Sequence, residues 1–350
     1  MSAPTAVIAP SGIDGRAPRG AWWLAFRLQR NTLLIGLGVM AVMAGLVLWH
    51  RSAVMSLYAT NGIVDPTACR APNGMERTMS TECVALVQLQ SELTARWEQL
   101  RAVWLLLPGL IGAATGAALF SREFERRSQV FALTQSIGML RWLGTKVVVG
   151  FVPMLAASIG VGFLFELTAN AYGAASWTPL EAPFFSDFGF VPGAVLMVSF
   201  AFGVAVSTLL RQSLGAVLVS LVAALGLLWV LVFGYQYLGP AERHTTTAIT
   251  ESMFVPPNRS VFIESGFLDA SGRELTVTYE CGSYGGEVSA AEYDRHFTGC
   301  FSGQGVTQKF VDYLPLSARA PLTWTVSGIS AALSAMFLAI GYALLRRRAS

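Results

Sequence analysis

Apolar positions in this chain come in long unbroken runs, not in the short alternations of a soluble fold. Six stretches carry no Asp, Glu, Lys or Arg over bilayer length. They lie between Arg30 and Arg51, Arg101 and Arg122, Lys146 and Glu166, Asp187 and Arg211, Arg211 and Glu242, and Arg319 and Arg346. A hydrocarbon core of about 30 Å takes roughly 20 apolar residues in a helix, so the pattern predicts six transmembrane helices. The uncharged LTANAYGAASWTPL between Glu166 and Glu181 is too polar and too short to span and reads as a loop. Composition agrees: 53% of the 350 residues are hydrophobic and 13% are charged. That excludes bulk disorder, which needs low hydrophobicity.

The segments between spans carry their own patterns. Residues 1–18, rich in Pro, Gly, Ala and Ser, predict a disordered tail and lack the regions of a signal peptide. In residues 19–31, Trp22, Trp23 and Phe26 share one helical face, with Arg19, Arg27 and Arg30 placed to reach headgroups. This predicts an interfacial amphipathic helix, the alternative being an extension of span 1. VALVQLQSELTARWEQLRAV lacks Gly and Pro and predicts a long helix running into span 2. Residues 122–144 interleave charges with Phe124, Val130, Phe131, Leu133, Ile137, Leu140 and Trp142, predicting one or two short helices at the membrane surface. Residues 239–320 read as a separate α+β unit. SVFIESGF and RELTVTYEC are strand-like, DASG is turn chemistry, and Ser289 with Glu292 has capping-box spacing. The division is thus a tail at 1–18, a membrane unit at 19–238, an outer domain at 239–320, and span 6 with a basic tail at 321–350.

Charge orients the spans. Arg16, Arg19, Arg27 and Arg30 precede span 1; Arg122, Arg126, Arg127, Arg141 and Lys146 lie between spans 2 and 3; Arg211 follows span 4; Arg346, Arg347 and Arg348 follow span 6. Basic residues concentrate on the cytoplasmic side, which places both termini there. Arg51 and Arg101, at outer ends, run against the rule. The same topology puts Cys69, Cys83, Cys281 and Cys300 outside, where disulfides persist. Four cysteines allow three pairings; pairing within each loop closes two short loops.

The chain offers little chemistry of its own. No charge or histidine falls within the apolar core of a predicted span, which disfavours proton coupling. Ser199, Ser207 and Ser220 lie in spans without a base and are expected to bond back to their own helix or pack between helices. No GxxxxGK[ST] loop occurs, so ATP is not bound in the P-loop manner. Gly112 and Gly116 have GxxxG spacing, suited to close helix packing within the subunit or to a seam between copies. A chain with no energy source or catalytic centre, but with a basic, aromatic connector, suits a transport subunit driven by a separate ATPase. Two other classes stay open: a channel or gradient-driven carrier, and a polytopic sensor whose outer domain binds a ligand through Glu280, Glu287, Glu292, Asp294 and His296.

The connector REFERRSQVFALTQSIGMLRWLGTK resembles that of permease subunits of ATP-binding cassette type 2 exporters, and most of all the actinobacterial members. WLAFRLQRNTLL looks like their interfacial elbow helix, with Trp22, Trp23, Phe26 and Arg27 at the membrane interface. IESGFLDASGREL and DYLPLSAR resemble their outer loop. The resemblance implies an all-α polytopic membrane protein of six transmembrane helices in a bacterial plasma membrane. It implies pairing with a second copy or homologue, and ATPase subunits that bind ATP and Mg while this chain binds no cofactor, metal or nucleic acid. The connector would be the coupling helix, with Arg122, Glu123, Arg126, Gln135 and Arg141 as its polar contacts. The apolar spans suit an amphipathic or hydrophobic cargo such as an antibiotic, peptide, drug or lipid.

Overall fold

The computed structural model describes residues 18–62, 81–125, 139–171, 180–181, 184–210, 212–247, 260–277 and 290–349. Six long helices follow the six apolar runs: α1 (Pro18–Thr60), α2 (Thr81–Glu125), α3 (Met139–Ala169), α5 (Val191–Leu210), α6 (Ser213–Gly234) and α8 (Arg319–Ala349). Each is long and apolar enough to cross a membrane. A single turn, α4 (Phe184–Asp187), precedes α5, and a 3-10 turn, Tyr235–Leu238, closes α6. Among the described residues the remainder is a sheet with one helix, α7 (Ala290–Gly303), packed on it, and a 3-10 turn, Leu316–Ala318, that leads into α8.

Helix α1 corrects one expectation. Its 43 residues run without a break from the predicted elbow through the first span, so the elbow is not a separate helix but the opening turns of α1. Nothing in RLQRNTLL breaks a helix: it holds neither Gly nor Pro, and hydrogen bonding propagates where nothing interrupts it. At about 65 Å, α1 exceeds any bilayer core. Its buried positions form one narrow stripe in steps of three or four: Ala25, Gln29, Leu33, Gly36, Met40, Met43, Val47, His50, Val54 and Tyr58. Helix α2, at 45 residues, is the continuous projecting helix that its Gly- and Pro-free first half predicts.

Helix α5 is the hub. It is buried over most of its length and packs on α2, α8 and α6. Its approach to α2 is backbone on backbone. A Cβ at Gly112 would stand 2.5 Å from the Leu196 carbonyl oxygen, one at Gly203 2.7 Å from Ala113 O and Ala117 N, and one at Gly116 closer still to the Phe200 carbonyl. The GxxxG spacing therefore serves packing within the subunit. Helix α1 lies against α3 more extensively than against α2.

The four-stranded antiparallel sheet has the order β1–β4–β2–β3, with β1 Glu242–Thr246, β2 Val261–Leu268, β3 Glu274–Leu275 and β4 Gln308–Leu314. The expected hairpin is present. Asp269 Oδ1 accepts from Ser271 N (2.8 Å), Ser271 Oγ (2.6 Å) and Arg273 N (2.9 Å), and Gly272 takes φ +79°, the turn chemistry that DASG provides. Strands β1 and β4 were not expected. β4 lies in the centre, with Val311 opposite both His244 and Ser265. Arg243 ties the strands together: it forms ion pairs with Asp312 (2.7 Å) and Glu274 (2.8 Å), and its guanidinium carbon lies 4.0 Å from the centre of the Phe310 ring. The sheet rests on the helix bundle through Leu314, Val261 and Ile263, which join Leu322 and Val326 of α8, Tyr235, Leu180 and Phe185 in one cluster. Its other side covers Phe301 and Val306 at the end of α7.

Candidate functional site

The end of the bundle where α2 stops and α3 begins holds what is described of the expected coupling segment. Arg122 and Glu123 fall in the last turns of α2, and Arg141 is exposed in the first turn of α3. Arg126 and Gln135 lie outside the described residues. Residues 122–125 and 139–144 thus belong to the two long helices, which leaves 126–138 as the connector between them. Trp142, expected at the membrane surface, is buried instead. It stands 5.2 Å from Phe120 and packs with Leu119, Leu143, Phe200 and Leu345.

One turn further on, Lys146 is buried, its ammonium 4.4 Å from the centre of the Trp142 ring and 5.3 Å from that of Phe120. An aromatic face accepts a cation where few other groups can. The backbone carbonyl of Lys146 receives Nε2 of Gln29 from α1 at 3.1 Å. Trp22, Trp23 and Phe26 are exposed on α1, and the guanidinium of Arg27 lies 5.1 Å from the Trp23 ring. Amphipathic side chains of this kind suit a membrane–water interface.

The opposite end of the bundle holds a cluster that the sequence did not reveal. Arg101 of α2 is buried, yet it donates from Nε to Asp187 Oδ2 at 3.0 Å, with Nη2 2.9 Å from the same oxygen. It also pairs with Glu98 at 2.9 Å, and its guanidinium stacks 3.4 Å from the centre of the Phe184 ring. Trp104 Nε1 donates to the Asp187 carbonyl at 3.0 Å. Trp97 and Trp104 both pack on Phe165 of α3, and His50 of α1 stacks on Trp97 at 5.5 Å. Four elements therefore meet in one cluster, α2 and α4 through the charge pair and α1 and α3 through the rings of Trp97 and Trp104. Asp187 is fully buried, and burial pushes its carboxyl up to about 7 against the pull of Arg101 and its hydrogen bond. Oδ1 of Asp187 has no hydrogen-bond partner among the described residues.

These buried groups sit at the margins of the apolar runs: Arg101 and Lys146 bound two of them, and His50, expected in the outer loop, is the last residue before Arg51 and lies within α1; the helices continue past all three, over Leu93–Ser121, Leu140–Ala169 and Trp22–Thr60. Arg101 pairs with Asp187, and Arg51 donates to the carbonyl of Leu167 in the last turn of α3. Arg319 of α8 pairs with Glu166 of α3 at 2.8 Å. Among the intramembrane serines, Ser207 donates back to Val204 O at 2.8 Å, while Ser199 and Ser220 are buried in helix contacts.

Of the cysteines, Cys69, Cys83 and Cys281 lie outside the described residues. Cys300 is half-buried on α7, with Gln304 Nε2 3.9 Å from its sulfur.

Residues 37–234 match the model of the ABC-2 membrane transporter related family. The match runs from α1 to the end of α6 and includes the connector; the elbow turns, the sheet and α8 lie outside it. No curated protein and no solved structure matches the chain. The chain belongs to the ABC-2 membrane transporter related family, and with its six apolar helices it is a multi-pass membrane protein.

Proposed function

We propose that this chain is the permease subunit of an ATP-driven exporter. The observation that carries the reading is the family match over α1–α6, which encloses the connector between α2 and α3. The motor is a pair of separate ATPase subunits that bind ATP and Mg. They seat on residues 126–138 and on the flanking Arg122, Glu123 and Arg141, and the remaining side of the bundle meets a second permease copy or homologue. Both termini lie in the cytoplasm, in keeping with Arg27, Arg30, Arg141 and Arg346, all exposed at one end of the bundle. The sheet then faces outward, and the four cysteines pair as Cys69–Cys83 and Cys281–Cys300. The apolar faces of α1, α6 and α8, with Trp229 and Trp324 about two-thirds exposed, suit an amphipathic or lipid-like cargo.

The test is purification of a tagged chain from its native membrane, wild type beside Gln135→Glu/Arg141→Glu. The wild type is expected to bring a P-loop ATPase with it and the variant to lose it, or to lose its effect on ATP hydrolysis. Cargo movement that continues without nucleotide would defeat the reading in favour of a channel or carrier.

A further inference from the structure

We infer that α1 and α3 form one rigid parallel unit, keyed in register by Gln29 and Arg51. On the proposed coupling role of residues 126–138, on which this consequence rests, a displacement entering α3 at Met139 then carries α1 with it.

The two keys are a matched pair. Gln29 bonds to the carbonyl of Lys146, and Arg51 to the carbonyl of Leu167. The sequence separations are 117 and 116, so the helices run parallel with the same offset at both ends. The bonds stand about 32 Å apart along the axis, close to the thickness of a bilayer core.

Each key is built into its place. Gln29 is buried within the apolar stripe of α1, and α3 opens space for it at Gly150, where a Cβ would stand 2.6 Å from the Gln29 amide oxygen. Arg51 takes a carbonyl that the end of α3 leaves without an intrahelical partner, at the negative end of the helix dipole.

The seam between the keys is apolar, with Met154 Sδ 2.9 Å from the position of a Cβ on Gly36. Leu, Met and Val would tolerate a slip by a turn. A polar residue in such a stripe does not, because a slip leaves it unpaired, and this is how single polar positions fix the register of coiled helices. Hydrogen bonds are also directional. The contact of this end with α2, the Lys146 ammonium over Phe120 at 5.3 Å, binds through charge and an aromatic face.

The test uses the full chain in lipid nanodiscs. Nitroxides are attached through a ketone-bearing non-natural residue, which leaves the cysteines untouched. Pairs at the exposed positions Ile35/Val152 and Met55/Phe163 report the inner and outer ends of the α1–α3 seam, and Val103/Leu209 reports the α2–α5 block. Gln29→Leu is expected to widen the inner distance distribution about twofold and leave the other two pairs unchanged; Arg51→Met is expected to do the same to the outer pair. Widths unchanged in both variants, or widened at all three pairs, overturn the inference. Should Gln29→Leu fail to fold, Gly150→Ala displaces the Gln29 amide with one methyl group, and Gln29→Ala/Gly150→Ala removes the collision while leaving the key absent. These widths need no nucleotide. Adding the co-purified ATPase with ATP and Mg tests the coupling reading separately. An Ile35–Leu209 distance that shifts while both seam distances hold supports both readings, and seam distances that shift with it overturn the rigid unit. No shift at any pair overturns the ATP-driven reading, while the nucleotide-free widths still decide the keyed register.

Discussion

Two seams of the same bundle are made in opposite ways. Between α2 and α5, glycine lets backbone touch backbone, and the apolar contact spreads over Gly112, Gly116 and Gly203 with Ala113 and Ala117 beside them. Between α1 and α3, side chains interdigitate along one stripe, and polar keys stand at its ends. Lipid is as apolar as leucine, so burial alone cannot choose a helix register inside a membrane. The first seam chooses by shape, since only one alignment brings small residue opposite carbonyl. The second chooses by hydrogen bonding. A seam fixed by shape resists sliding along its whole length, whereas a keyed seam depends on two side chains.

The largest effect is expected at the Arg101–Asp187 charge pair, in the cluster that joins α2 and α4 to α1 and α3. Arg101→Met leaves Asp187 buried without a partner, and such a loss costs about 3–5 kcal/mol. Without Arg101 the carboxyl rises further above its ordinary range. A carboxyl raised in the folded state costs stability at pH values above its unfolded value and ceases to do so once acid protonates it. The deficit is therefore greatest above neutral pH and shrinks toward pH 5, as unfolding in mixed micelles at several pH values would show. Arg101→Met/Asp187→Leu should recover most of the loss at every pH. A deficit that the second substitution does not reduce would show that Arg101 matters for its packing on Phe184 and not for its charge.

Next comes the glycine seam. Gly116→Ala places a methyl group on the Phe200 carbonyl, where backbone must move, and overpacking of this kind costs about 1–3 kcal/mol. Gly160, in the neighbouring helix α3, meets nothing within 4 Å, so Gly160→Ala is expected to be neutral or to stabilise by up to about 1 kcal/mol. Equal melting temperatures for the two variants would refute the backbone contact. The keyed seam should yield more easily. Gly150→Ala collides with the end of the Gln29 side chain, its other neighbour, Leu119 Cδ1, standing at an ordinary contact distance of 3.5 Å, and is expected to cost about 1 kcal/mol, most of it absent in a Gln29→Ala background. A double-mutant cycle measures that difference directly.

What the chain reveals before folding follows from range. The six spans and the continuous α2 are written in local composition, in long uncharged runs and a stretch free of Gly and Pro. Charges at the ends of those runs mark boundaries only if they are unpaired. Arg101 and Asp187 are 86 residues apart, and no local rule joins them, so both read as edges when they form the centre of a cluster. The same distance hid the sheet. β1 is ERHTT, four of its five residues exposed, and β4 is central only because β1 and β2 come to it from far along the chain. The hairpin turn was legible because its chemistry lies within five residues. Continuity of α1 was legible too, in the missing breaker, but its interfacial aromatics and arginines pointed to a separate helix. For the coupling set, only Arg141 is described to its side chain, exposed in the first turn of α3.

The smallest effect carries the comparison into water. Asp269 fixes the β2–β3 turn as Gln29 keys the α1–α3 seam, one polar side chain holding backbone groups in place. Its carboxyl is only partly exposed, and hydrogen bonds, first from the Ser271 hydroxyl and then from backbone N–H groups, hold its pKa below the ordinary carboxylate value. A carboxyl lowered in the folded state adds stability above its unfolded value and loses it as pH falls through the folded one. Asp269→Ala should therefore lower the melting temperature slightly at neutral pH and not at all in strong acid. Solvent competes for every bond that this turn makes, while Gln29 is buried against α3, where water has far less access to its bond. The expected order is thus a larger loss for Gln29→Ala than for Asp269→Ala, although each removes one polar side chain. Equal losses would show that the Lys146 carbonyl is reached by water, and that the α1–α3 seam is wet at its Gln29 end.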